Sequence, residues 1–164
     1  MELVFASTTQ LAAAIRTREV SATEVLQAHL AQIARENPAL NAVITLDGDG
    51  AEQRAREADA ALARGEIWGP LHGVPFTLKD AHVTAGMRTT TGSPSLADTI
   101  PNVDSPVTAR LKAAGGILMG KTNVPTMLAD YQTSNPIFGR TNNPWNFERT
   151  PGGSSGAGRW NDPL

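Results

Sequence analysis

Gly115-Gly-Ile-Leu-Met-Gly120-Lys121-Thr122 has two incompatible readings, and the fold turns on which one holds. Letter for letter it is the phosphate-cradling pattern G-x-x-x-x-G-K-[ST]. In that pattern a strand leads into the first glycine, a loop crosses the middle, and a helix after the lysine aims its N–H groups at phosphate. Read so, the chain would be a nucleotide-binding protein. The flanking residues point elsewhere. Asp104-Ser105-Pro106 opens a helix with proline in its first turn, Val107 and Leu111 supply its apolar side, and Gly115-Gly116 ends it as a C-terminal glycine does. Ile117-Leu-Met119 then has the character of a buried strand, and Pro125 disturbs the turn after Thr122 where a phosphate-binding helix would begin. Context therefore predicts a helix, a glycine stop and a buried strand, with nucleotide binding through Gly115 to Thr122 kept as the alternative.

Working outward, the punctuation of the chain is uneven. Ten of the eleven prolines lie at or after Pro70, so residues 1–65 read as mainly helical and 66–156 as short strands and turns. Ser7 to Arg18 carries Leu11 and Ile15 one turn apart. Ser21-Ala-Thr-Glu24 has the form of a capping box opening a second helix, whose apolar stripe runs through Leu26, Leu30 and Ile33. Asn41 to Leu46 is strand-like, and Gly50 to Arg64 repeats Ala51, Ala55, Ala58 and Leu62 on one helical face. In Val74-Pro-Phe-Thr-Leu-Lys79, period-two alternation sends Val74, Phe76 and Leu78 to one face and Lys79 to the other.

Composition narrows the function classes. With 164 residues, 40% of them hydrophobic, 18% charged and a net charge of −2, the chain is sized for one domain and is not of the disordered class. That charge gives no general attraction to nucleic acid or to an anionic membrane, so neither is expected as a partner. The sequence has no cysteine, and His29, His72 and His82 lack ligand spacing, so neither metal nor cofactor is expected. MELVFASTTQ carries an acid where a secretory signal would be basic, and no apolar run approaches the ~18 residues of a membrane span. The expectation is a cytoplasmic protein, with a homo-oligomer left open.

Chemistry concentrates on Lys79 and on Gly152-Gly-Ser154-Ser155-Gly156. The chain has three lysines against eleven arginines, and lysine alone of the two can lose its proton when desolvated. A serine hydroxyl both donates and accepts, so it can relay a proton between such a lysine and a second hydroxyl. Neighbouring glycines let the backbone come close to a substrate. Taken alone, a lysine at the end of a strand is more often a solvated charge, and a Gly-Ser run more often a flexible link, than a site.

Gly69-Pro-Leu-His-Gly-Val-Pro-Phe-Thr-Leu-Lys79-Asp80, Gly120-Lys-Thr-Asn123-Val-Pro125, Phe138-Gly-Arg-Thr-Asn-Asn-Pro-Trp145 and Pro151-Gly-Gly-Ser-Ser-Gly156, in that order, resemble the amidase signature family. The resemblance covers nearly the whole chain to Gly156. It implies an α/β fold, a mixed sheet surrounded by helices, and hydrolysis of a small carboxylic amide through an acyl-serine intermediate by a Ser, cis-Ser and Lys triad. Lys79 would be the base, Ser154 the middle serine reached through a cis peptide bond, and Ser155 a supporting hydroxyl. The segment after the Asn-x-Pro turn would line the substrate site, which points to Leu128 and Asp130, with Asp130 disfavouring anionic groups. Transamidation on charged tRNA is a variant within the family. Relatives of that kind usually carry an acid where Pro125 stands, which ranks simple hydrolysis higher.

The resemblance stops inside its best-matched motif. The family reaches its acylated serine in a later Asp-x-Gly-Gly-Ser segment, and this sequence contains none. The expectation is thus the N-terminal part of a single amidase domain, with an incomplete fold, a divergent tail at 157–164, and no activity by itself. A frameshift near codon 156 or a fragmentary gene model would produce it, and reading the other frames downstream tests that. A noncatalytic fragment completed in trans is a further alternative. An incomplete core should leave strands such as Ile117 to Met119 short of neighbours and prone to aggregate.

Overall fold

The computed structural model describes residues 2–156. Helix α1, Thr8–Arg16, and helix α2, Ala22–Leu40, each begin in a complete capping box, Ser7 with Gln10 and Ser21 with Glu24. Strand β1, Val43–Leu46, leads into helix α3, Gly48–Ala63, whose N-terminus Asp47 caps by accepting from the Gly50 N–H. Strand β2 is Pro75–Lys79, helix α4 is Pro106–Ala113 and strand β3 is Ile117–Thr122; a two-residue hairpin, β4 (Ser134–Asn135) with β5 (Gly139–Arg140), follows. No helix among the described residues is long and apolar enough to cross a membrane.

The sheet order is β1-β3-β2, with β1 antiparallel and β2 parallel to β3. Ile117 to Thr122 is buried throughout because it lies between two strands and two packed layers. This corrects one expectation: Ile117 to Met119 does not lack neighbours, and the open edges among the described residues belong to β1 and β2. Ile117 and Met119 pack with Leu26 and Ile33 of α2 and with Ala51, Ala55 and Ala58 of α3. Leu118 packs the other way, with Leu78, Met87, Phe76 and Leu111. Small alanines on α3 let that helix sit close to the sheet.

Two details differ from the periodic reading. Val74 does not share a cluster with Phe76 and Leu78; it precedes β2, in a turn closed by its N–H on Leu71, and packs with Leu11, Ile15, Val25 and Leu62. In α4 the buried residue is Thr108, which donates to the Val83 carbonyl at 3.0 Å, whereas Val107 is exposed. A buried hydroxyl is acceptable where it finds a carbonyl.

Gly115 ends α4 with φ +93°, and a β-carbon there would lie 2.8 Å from the His72 Cα. Its carbonyl accepts from the Gly73 N–H at 3.0 Å, and the Ala114 carbonyl from the Leu71 N–H at 2.8 Å. Through these contacts the turn before β2 is locked to the turn before β3, so the two parallel strands start level and their carboxyl ends finish together.

Candidate active site

That shared carboxyl end is where a parallel arrangement of strands leaves a crevice for chemistry. Lys79, the last residue of β2, stands opposite Thr122, the last of β3. Its side chain is half-buried, and Nζ donates to Ser154 Oγ at 2.6 Å across 75 residues of sequence. The Gly153–Ser154 peptide bond is cis. Ser154 is half-buried and Ser155 exposed.

The structure brings Asp130 to this loop through its main chain: a β-carbon on Gly153 would lie 3.1 Å from the Asp130 carbonyl oxygen and 2.8 Å from that of Tyr131. The Asp130 carboxylate is exposed and accepts from the Gln132 N–H at 3.1 Å. Leu128 lies two residues earlier, at the end of a short 3-10 turn, with left-handed backbone (φ +62°) and a partly exposed side chain.

Beneath Lys79 lies an ion pair that the sequence pattern does not announce. Asp80 and Lys121 are both fully buried, with Nζ 3.5 Å from Oδ1. Asp80 Oδ2 accepts from the Thr90 N–H at 3.0 Å and hydroxyl at 2.6 Å, while Lys121 Nζ donates to the His82 carbonyl at 2.7 Å and Thr89 Oγ1 at 2.9 Å. Burial pulls the Lys121 ammonium below the ordinary amine range, and the Asp80 charge opposes that pull. Lys121 is fully buried, whereas Lys79 is half-buried.

Lys121 reaches that side through an irregularity. Between Phe76↔Leu118 and Thr77↔Gly120, β3 carries one residue more than β2. Such an extra residue switches the alternation, so Lys121 turns away from the face of Met119 and reaches Thr89.

The same geometry overturns the nucleotide-binding reading. Gly115 to Thr122 is a glycine stop and a buried strand, and the lysine amine is committed to Asp80, His82 and Thr89. Among the described residues the chain beyond Thr122 forms no α-helix to receive phosphate. Among the described residues, too, no three His, Asp or Glu side chains cluster as a metal site would require. The expected tail at 157–164 lies outside the described residues.

Comparison with known proteins bears on the family and the fold. The family model described as Amidase matches residues 24–158. A glutamyl-tRNA(Gln) amidotransferase subunit of Acidothermus cellulolyticus is 48% identical over 155 residues, 94% of this chain and 31% of the relative. Fatty acid amide hydrolase superposes with a TM-score of 0.90 at 30% identity, covering 94% of this chain and 27% of that one. A bacterial aryl acylamidase of the amidase signature family superposes at 0.88 and 30% identity, over 93% of this chain and 32% of its own. The chain thus spans about a third of the length of the curated relatives it matches.

Proposed function

The chain belongs to the amidase family, and on that premise we propose that Lys79 and Ser154 are the proton-transfer arm of an amide-cleaving site. The observation that carries this reading is the 2.6 Å contact between Lys79 Nζ and Ser154 Oγ. With the amine neutral, the contact runs in reverse: a nucleophilic hydroxyl gives its proton to Ser154 Oγ as Ser154 gives its own to Nζ. The nucleophile's oxygen bonds to the amide carbon, the carbon–nitrogen bond breaks, and the proton returns through Ser154 to the leaving nitrogen. Water then repeats the cycle on the acyl-serine. The nucleophile comes from the two-thirds of the relatives' length that this chain does not span. By itself the chain supplies no acyl acceptor and has no turnover; the setting, carried over from the sequence, is the cytoplasm.

The test is co-expression with a polypeptide covering the remainder of a relative. Amide cleavage should appear, and Lys79→Ala or Ser154→Ala should each lower it by about 10³-fold or more. Turnover that survives both changes refutes the assignment.

A second reading is favoured by the 48% identity to an amidotransferase component, against 30% to the two hydrolases. In it the released ammonia passes to a tRNA-linked acceptor held by partner subunits. Pro125, where an acid is expected for that activity, favours plain hydrolysis. Glutamine and an aryl amide, assayed side by side on the completed enzyme, separate the two.

A further inference from the structure

Apart from the Lys79–Ser154 bond, the non-local hydrogen bonds that tie residues 152–156 to the rest of the described chain both end on one side chain. The Thr133 hydroxyl donates to the Gly152 carbonyl at 2.7 Å and accepts from the Gly156 N–H at 3.2 Å. Thr133 is fully buried, and its own carbonyl accepts from the Thr141 N–H at 2.9 Å. Close by along the chain, Asn135 Nδ2 donates to Asn123 Oδ1 and to the Val124 carbonyl, each at 2.8 Å. Asn123 directly follows Thr122, the strand partner of Lys79. A continuous path thus runs from the end of β3 through the two asparagines to Thr133, and from Thr133 to both sides of Ser154.

We infer that Thr133 is a positioning residue whose hydroxyl clamps the Gly152–Gly156 loop at both ends and so holds Ser154 Oγ against Lys79 Nζ. This rests on the Lys79–Ser154 reading and adds the element that sets its distance. A hydroxyl suits the position, since a single atom there donates on one side and accepts on the other. Gly156 completes the fit: a β-carbon there would collide with the Thr133 hydroxyl and come within 3.0 Å of its β-carbon.

The chain's three lysines allow a direct test, because selective ¹³C labelling gives one side-chain NMR signal each for Lys79, Lys112 and Lys121. Ser154→Ala should displace the Lys79 signal. Thr133→Val should displace it the same way and by most of that amount, with Lys121 unmoved, and Thr133→Ser should restore it. If Ser154→Ala leaves Lys79 unmoved, the pairing fails and the clamp with it. If Ser154→Ala moves the signal and Thr133→Val does not, the pairing stands and the clamp alone is refuted. Should Thr133→Val also lose the Lys121 signal, and with it the fold, Gly156→Ala decides by pressing a methyl onto the hydroxyl from the loop side. A displaced Lys79 signal then supports the clamp, and an unmoved one overturns it.

Discussion

Two buried groups make the molecule sensitive to single changes. Asp80 and Lys121 each lose hydration on folding and retain mainly each other, Thr90, Thr89 and a carbonyl in exchange. Replacing one partner strands the other's charge, so Asp80→Asn or Lys121→Met should cost about 3–5 kcal/mol in urea unfolding, and the double change Asp80→Asn/Lys121→Met less than the sum. His72 is buried with Nδ1 accepting from the Trp68 N–H at 3.1 Å and Nε2 facing the Ala58 carbonyl at 3.1 Å. That pattern requires the neutral ring, and burial holds its pKa below the ordinary 6.5. The unfolded chain therefore binds the proton more tightly. Stability is full above pH 6.5 and falls as the pH drops from there through the lowered folded value. Urea midpoints measured against pH should show this slope, and His72→Gln should abolish it. Neither group is legible from the sequence: ligand spacing says nothing of a histidine held by two main-chain groups, and the partners of Lys121 lie 32 and 39 residues away.

At the level of elements, the sequence is most readable where the physics is local. The Ser21 to Glu24 box, the alanine face of α3 and the glycine stop after α4 depend on residues within a turn or two of one another, and all three are present. Ser105→Ala should cost about 1 kcal/mol through the cap it removes from α4. Gly115→Ala should cost more than about 1 kcal/mol, because the left-handed backbone and the close approach to His72 both oppose a β-carbon. Thermal melts of the two variants, ranked in that order, check both. Reading is poorest where a non-local partner decides the outcome. Val74 leaves the face that alternation assigns it, and Thr108 takes the buried place in α4 because Val83 offers a carbonyl. Lys79 and Ser154 are connected by family resemblance alone; no period links residues so far apart. Thr133 carries no sequence signal, since a threonine in a polar loop is ordinary until its two partners are seen.

For the whole molecule, the relation between sheet order and chain order matters most. β3, the last of the three strands in sequence, occupies the middle position. During synthesis β1 and β2 must therefore wait for a template made after both of them, while α2 and α3 already have each other to pack against. Removing residues from 117 onward should leave helical circular dichroism but no cooperative unfolding transition, whereas the intact chain should show one. The edges of β1 and β2, open among the described residues, favour self-association, which light scattering as a function of concentration measures. The central place of β3 also sets an order of events on the ribosome: for as long as residues 117–122 remain in the exit tunnel, the nascent chain has helices α2 and α3 but two unpaired strands, β1 between those helices and β2 after them. That interval is its period of greatest exposure to chaperones and to neighbouring chains.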